Sequence, residues 1–174
     1  MTQRIILITG GSEGMGLAAA ERFHSMGDQV VITGRSHEKM NKVSSRHSGI
    51  HTIVSDISCP NDRVRLFADL REHFGHIDVF FANAGLGLFK PFTDISEEDF
   101  DFIADVNYKG LFFSLQGALS LMPHRSKIIV NASWTHHRAL EGASLYSSTK
   151  AVASTPSNFV DNSSMVLAVT LVTC

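Results

Sequence analysis

The segment Thr9-Gly10-Gly11-Ser12-Glu13-Gly14-Met15-Gly16 narrows the fold more than any other part of this chain. An apolar run, Ile5 to Ile8, leads into it, and a helix-like run, Leu17 to Met26, leads out. This predicts a buried strand, a glycine turn and a helix start within the first two dozen residues. Glycines let the backbone turn tightly and let an anion come close, while the free amides and dipole of a helix start attract negative charge. Gly11 to Gly16 has P-loop spacing, but a P-loop continues with Lys and Ser or Thr, and here Leu17 and Ala18 follow. The dinucleotide reading survives. Gly14-x-Gly16-x-x-Ala19 is close to the second half of that fingerprint, with Gly10 making the turn. A plain glycine loop is the bland alternative, because short glycine motifs are common.

Short apolar runs alternate with helix-period segments along the rest of the chain. Strands are predicted at Gln29 to Thr33, Ile50 to Val54, Ile77 to Ala82 and Lys127 to Ala132. Asn61 to Phe74 has a mostly apolar stripe and a closing Gly75, which predicts a helix. Ser96-Glu97-Glu98-Asp99 resembles a capping box and opens a long helix expected to run to about Leu121. Continuous apolar strands alternating with helices imply an α/β fold: a Rossmann-type, doubly wound parallel sheet in a three-layer α/β/α arrangement. Right-handed crossovers bring the loops after the strands to one edge, where ligands bind. The glycine turn, Asp56, Asn83 and Ser133 each follow a strand, so they should meet at one crevice.

Composition sets outer limits. With 174 residues, 44% apolar and 18% charged, the chain is globular and reads as a single domain over 1–174. A net charge of −2 supplies no basic field for nucleic acid. Two cysteines, Cys59 and Cys174, build no disulfide framework, and a reducing, cytoplasmic setting is expected. No signal-like N-terminal segment is read, and no apolar stretch nears the roughly 20 residues of a membrane span. Nine histidines raise the question of a metal, but His136 and His137 are adjacent and would diverge, so no metal site is expected.

Tyr146-Ser147-Ser148-Thr149-Lys150 puts a phenol and an ammonium one helical turn apart on a shared face. A free phenol titrates near 10 and handles protons poorly at neutrality, but a neighbouring cation stabilises the phenolate. Alone, this pair is more often an ordinary helix pair than a site.

Together, Thr9-Gly-x-x-x-Gly14-x-Gly16, Asn83-Ala84-Gly85, Asn107, Ser133 and Tyr146-x-x-x-Lys150 resemble the ordered signature of the short-chain dehydrogenase/reductase family. The order and spacing are family-like, including thirteen positions from Ser133 to Tyr146, and the resemblance covers 3–153. It implies a nicotinamide coenzyme and hydride transfer between that coenzyme and a small carbonyl or alcohol substrate. Tyr146 would be the acid or base. Lys150 would ease proton transfer at Tyr146 and bind the nicotinamide ribose. Ser133 would donate to the substrate oxygen. Asn107 would hold a water linking Lys150 to solvent. Gly10, Ser12, Gly14, Met15 and Gly16 would surround the pyrophosphate, Asp56 and the backbone of Ile57 the adenine, and Asn83, Ala84 and Gly85 the coenzyme side of the crevice.

Sites for NAD place an acid after the second strand, yet here Thr33-Gly34-Arg35-Ser36 stands there and the first acid is Glu38. Arg35 can pair with a 2′-phosphate, and Ser36 can add a hydrogen bond, so NADP is expected over NAD. Glu13, where some NADP-preferring relatives carry a basic residue, argues the other way. After Ala153 the resemblance fades. Pro156 falls six residues past Lys150 and should end or kink the helix that in the family helps to form a dimer interface. A homo-oligomer is therefore possible but with that interface disturbed. Met165 to Val172 reads as a sixth strand. The divergent tail, 154–174, is expected to lack the family's last elements, leaving an open pocket and an exposed sheet edge. The rival readings are a non-catalytic nucleotide-binding protein or inactive shortened homologue, and, well behind, an S-adenosylmethionine-dependent transferase, which needs no Tyr-x-x-x-Lys.

Overall fold

Residues buried on both sides make β1 (Ile5–Thr9) the centre of the sheet: all five of its side chains are buried. A computed structural model describes residues 3–138, 140–153 and 165–169. β1 pairs in parallel with β2 (Gln29–Gly34) on one side and β4 (Val79–Ala82) on the other, so Ile6 lies between Val30 and Val79. β3 (Ile50–Val54) flanks β2, and β5 (Lys127–Asn131) flanks β4. β6 (Met165–Val169) pairs with β5, completing the order β3-β2-β1-β4-β5-β6. The order reverses between β1 and β4, which opens a crevice beyond their carboxyl ends.

Alternate strand residues feed two cores. Ile6, Ile8, Val30 and Ile32 face α1 (Gly14–Ser25) and α2 (His37–Arg46), meeting Ala20, Met40 and Val43. Leu7, Val31, Phe80 and Ile128 face the opposite layer. There they meet Leu66 and Leu70 of α3 (Pro60–His73), Leu111 and Ala118 of α5 (Leu111–Leu119), and Ala153 of α6 (Ser144–Ala153). This double burial explains strands that read as unbroken apolar runs rather than alternating ones.

Three local features differ from the sequence reading. Helix α2 was not foreseen: only Met40 and Val43 of its ten residues are buried, and Ser36 caps it by accepting from the Lys39 amide. The long helix expected from Ser96 is three segments, α4 (Glu97–Ala104), a π-helical stretch Asp105–Gly110, and α5, which ends at Leu119. Its start is the expected capping box, with Ser96 accepting from Asp99 N at 3.2 Å and Asp99 accepting from Ser96 N at 3.1 Å. The π stretch is held by contacts outside the helix: Asn107 bonds the Leu86 backbone, and a side chain at Gly110 would lie 3.0 Å from Ile57. β4 starts two residues later than expected, because the Ile77 amide bonds Leu121 O rather than a neighbouring strand. His47 and His51 stand four apart in sequence but straddle the turn between α2 and β3; His47 meets Glu21 at 3.2 Å, and His51 packs edge-on to Phe74. The expected break at Pro156 and the continuation of the sixth strand through Val172 lie outside the described residues.

Candidate functional site

The turn after β1 is shaped by close backbone approach. Gly10 has φ +66°, and a Cβ there would sit 2.8 Å from Ala84 Cα. Gly16 is tighter: a Cβ would stand 2.2 Å from Gly10 O and 2.6 Å from Asn83 Nδ2. Only glycine lets α1 start this near the strand ends. Gly14, by contrast, has open space where a side chain would be, so its face of the turn is accessible. Asn83 locks the turn in place. Its amide nitrogen donates to Thr9 O at 3.2 Å and Gly10 O at 3.0 Å, and its oxygen accepts from Asn131 Nδ2 at 3.0 Å. Thr9 Oγ1 in turn accepts from the amides of Asn83 and Ala84. One asparagine thus ties together the ends of β1, β4 and β5.

A crevice of about 460 Å³ opens above this knot, within the ordinary range for small-molecule and coenzyme sites. Gly10, Ser12 and Met15 line it from the turn, Arg35 and Ser36 from the end of β2, and Asp56 and Ile57 from beyond β3. Arg35 is exposed and makes no ion pair among the described residues. Asp56 closes a short turn, one carboxylate oxygen accepting from Ser58 N at 2.9 Å and Ser58 Oγ at 2.7 Å. The Ile57 carbonyl accepts from the Arg63 guanidinium, which steadies that wall.

Asn83, Ala84, Gly85, Tyr146 and Lys150 line the far end of the same crevice. Lys150 is buried, its ammonium donating to Asn131 O at 2.7 Å and lying 5.8 Å from the centre of the Tyr146 ring. Burial pushes its pKa down from 10.5 to about 8, because a low-dielectric site penalises the charged form. Gly85 leaves room for this head group: a Cβ there would be 3.2 Å from Lys150 Nζ and 3.3 Å from Asn107 Oδ1.

Asn107 is buried and bonded through both its amide oxygen and its amide nitrogen. Its oxygen accepts from Leu86 N at 2.8 Å, and its nitrogen donates to Leu86 O at 2.8 Å and Thr149 Oγ1 at 3.1 Å. It therefore clamps the chain after β4 to α6, one residue before Lys150. That chain continues as a strap fastened twice more: Lys90 N donates to Gly142 O at 2.8 Å, and Lys90 Nζ bonds Asp99 at 2.5 Å. The strap lays Phe89, 60% exposed, against Tyr146 with ring centres 5.7 Å apart.

Ser133 begins the short turn Trp134–His136, with its Oγ buried and accepting from Thr135 N and Thr135 Oγ1. Among the described residues, Gly16, Asn107 and Ser133 stand buried behind the crevice wall, and Gly14 faces open space beside it. The sequence reading missed Asn131, Thr149, Lys39 and the Lys90 fastenings. Asn131 was legible near the end of the strand expected at Lys127 to Ala132, whose loop faces the site; the other contacts join distant segments and leave no local signal.

The whole chain has relatives. A family model described as short chain dehydrogenase matches residues 4–164. An uncharacterized oxidoreductase of Staphylococcus haemolyticus is 34% identical over 151 residues, covering 84% of this chain and 65% of that protein. A sepiapterin reductase of Chlorobaculum tepidum is 35% identical over 161 residues, covering 85% of this chain and 66% of its own length. The chain thus spans about two-thirds of the length of these curated relatives. Among solved structures, a short-chain dehydrogenase/reductase of Brucella melitensis, titled a glucose/ribitol dehydrogenase, superposes with TM-score 0.88 at 28% identity, covering 96% of this chain and 74% of that one. A short-chain dehydrogenase of Streptomyces avermitilis shares the fold, with TM-score 0.90 at 23% identity, covering 98% of this chain and 65% of that one. No helix among the described residues is long and apolar enough to cross a membrane. With its switch-point crevice, its glycine turn and a family match that runs nearly end to end, the chain belongs to the short-chain dehydrogenase family.

Proposed function

We propose that this chain is an NADP(H)-dependent oxidoreductase that reduces a carbonyl or oxidises an alcohol, with Tyr146 as the acid or base. The observation that carries the reading is that one crevice is lined at one end by the glycine turn and at the other by Tyr146 and Lys150. The residues fit a nicotinamide dinucleotide: the exposed face of Gly14 and the start of α1 suit a pyrophosphate, and Arg35 suits a 2′-phosphate. The bound coenzyme would supply the hydride in reduction and accept it in oxidation. In reduction, Tyr146 donates its phenolic proton to the substrate oxygen; in oxidation it takes that proton back. Lys150 spends one N–H on Asn131 O and turns the rest of its ammonium into the crevice, where it favours the phenolate and can reach ribose hydroxyls. Ser133 is assigned the second donor to the substrate oxygen, supporting charge that develops there. Asn107 is assigned the water that links Lys150 to solvent, and its bonds to Leu86 and Thr149 hold Lys150's surroundings in place.

The test is a titration with NADPH and NADH, followed by turnover of a panel of ketones. Tyr146→Phe should bind NADPH with nearly unchanged affinity and lose about 10³-fold or more in kcat/KM. Unchanged turnover in that variant sinks the assignment. Coenzyme binding by the wild-type chain with no turnover on any ketone supports the non-catalytic reading instead.

A further inference from the structure

At the end of the crevice away from Tyr146, two charged side chains from distant segments meet. Glu13 lies in the glycine turn and precedes α1, yet its carboxylate does not cap that helix. It reaches across to Lys39, in the first turn of α2, at 2.6 Å. Both residues line the crevice with Arg35 and Ser36. The other acid of that helix turn, Glu38, is engaged with Lys42 at 2.6 Å. That end therefore carries two cations, Arg35 and Lys39, and two anions, Glu13, which is paired with Lys39, and Asp56, whose carboxylate is engaged with Ser58.

We propose that Lys39 is a specificity-determining residue for the 2′-phosphate of NADP(H), with Glu13 as a resident counter-ion that the phosphate displaces. This rests on the coenzyme preference proposed above. The Glu13–Lys39 pair is well exposed on both sides, 68% and 48%, and exposed pairs are weakly held. A phosphate near neutrality carries more charge than a carboxylate and has three oxygens to share between Arg35 and Lys39. A 2′-hydroxyl has neither the charge nor the acceptors to draw Lys39 from its carboxylate. The pair thus stays closed for NADH and opens for NADPH. Glu13, which by sequence argues against NADP, becomes a modulator of the same subsite.

The experiment is coenzyme fluorescence titration of the full chain with NADPH and NADH, at two salt concentrations. Lys39→Gln should weaken NADPH binding about tenfold, flatten its salt dependence and leave NADH binding unchanged. Lys39→Arg, which keeps the charge, should retain the preference and shows that α2 tolerates substitution there. Glu13→Gln should tighten NADPH several-fold with no change for NADH, and Glu13→Gln combined with Lys39→Gln should match Lys39→Gln alone. An NADPH-to-NADH ratio that survives Lys39→Gln overturns this proposal and leaves the broader preference standing. Weaker NADH binding in Glu13→Gln also overturns it, because Glu13 would then hold the ribose hydroxyl. A wild-type chain that binds NADH as tightly as NADPH removes the preference itself, and this proposal with it.

Discussion

The two ends of the crevice are built from different materials. The end around β1, α1 and β2 relies on glycines at close backbone approach and on charged side chains exposed to water. The end around β4, the π stretch and α6 relies on buried polar side chains that hold one another, Asn83 to Asn131, Lys150 to Asn131 O, and Asn107 to Leu86 and Thr149. Backbone and water-facing charge suit a ligand that must enter and leave. A dry, mutually bonded network suits groups whose position must not drift, since an unpartnered polar atom there is costly.

Substitutions at each end test that contrast. On the proposed function, Tyr146→Phe removes the proton donor and has the largest effect expected on turnover. Gly16→Ala comes next: its Cβ would stand 2.2 Å from Gly10 O, so overpacking should cost about 3 kcal/mol, read by urea denaturation, together with loss of coenzyme binding. If it folds and binds normally, the turn is less rigid than described.

Lys150 tests the buried end through pH. Its folded pKa of about 8 lies below its ordinary value of 10.5. Below pH 8 both folded and unfolded chains carry the charge, and the folded chain bears the whole burial penalty. Between 8 and 10.5 the unfolded chain binds more protons, so stability rises with pH, by up to about 3 kcal/mol from this residue alone. The rise should be absent from Lys150→Met and so appear in full in the difference between the wild-type chain and that variant, followed by chemical denaturation across that pH range. A parallel pair of curves would mean that the ammonium is not desolvated.

Asn107→Ala should cost about 2 kcal/mol, because Leu86 N and O lose their partner, and should lower turnover through the loosened strap while sparing coenzyme affinity. Equal damage to coenzyme binding would merge the two ends into one unit. The smallest effect is at the surface: Lys42→Ala breaks an exposed pair with Glu38 and should cost about 0.3–0.5 kcal/mol.

Much of this was legible in the chain itself. β1 to β5 announced themselves because burial on both faces demands runs such as Ile5 to Ile8 and Val79 to Ala82. Gly10, Asn83 and the Tyr146–Lys150 pair were legible because strand ends and one helical turn bring them together. Helix α2 was not, since its burial rests on Met40 and Val43 alone. The Ser36 cap with Met40 and Val43 at helical spacing was the available signal, and it would have placed Lys39 on the crevice rim. The Glu13–Lys39 pair, 26 residues apart, and the Asn107–Leu86 clamp, 21 apart, are set by tertiary placement. No local pattern encodes them.

The π-helical stretch Asp105–Gly110 also governs phase. Each residue in an ordinary helix advances the side-chain direction by roughly 100°, and a wider turn absorbs an additional residue without passing that rotation on. Upstream, Ile103 points into the protein; downstream, Ala118 does the same with no exposure at all. The irregular turn is what keeps those two faces in step while aiming Asn107 at Leu86. A single-residue deletion within it would draw the wide turn down to an ordinary α turn, leaving Ile103 and Ala118 on their faces but taking Asn107 off its aim at Leu86.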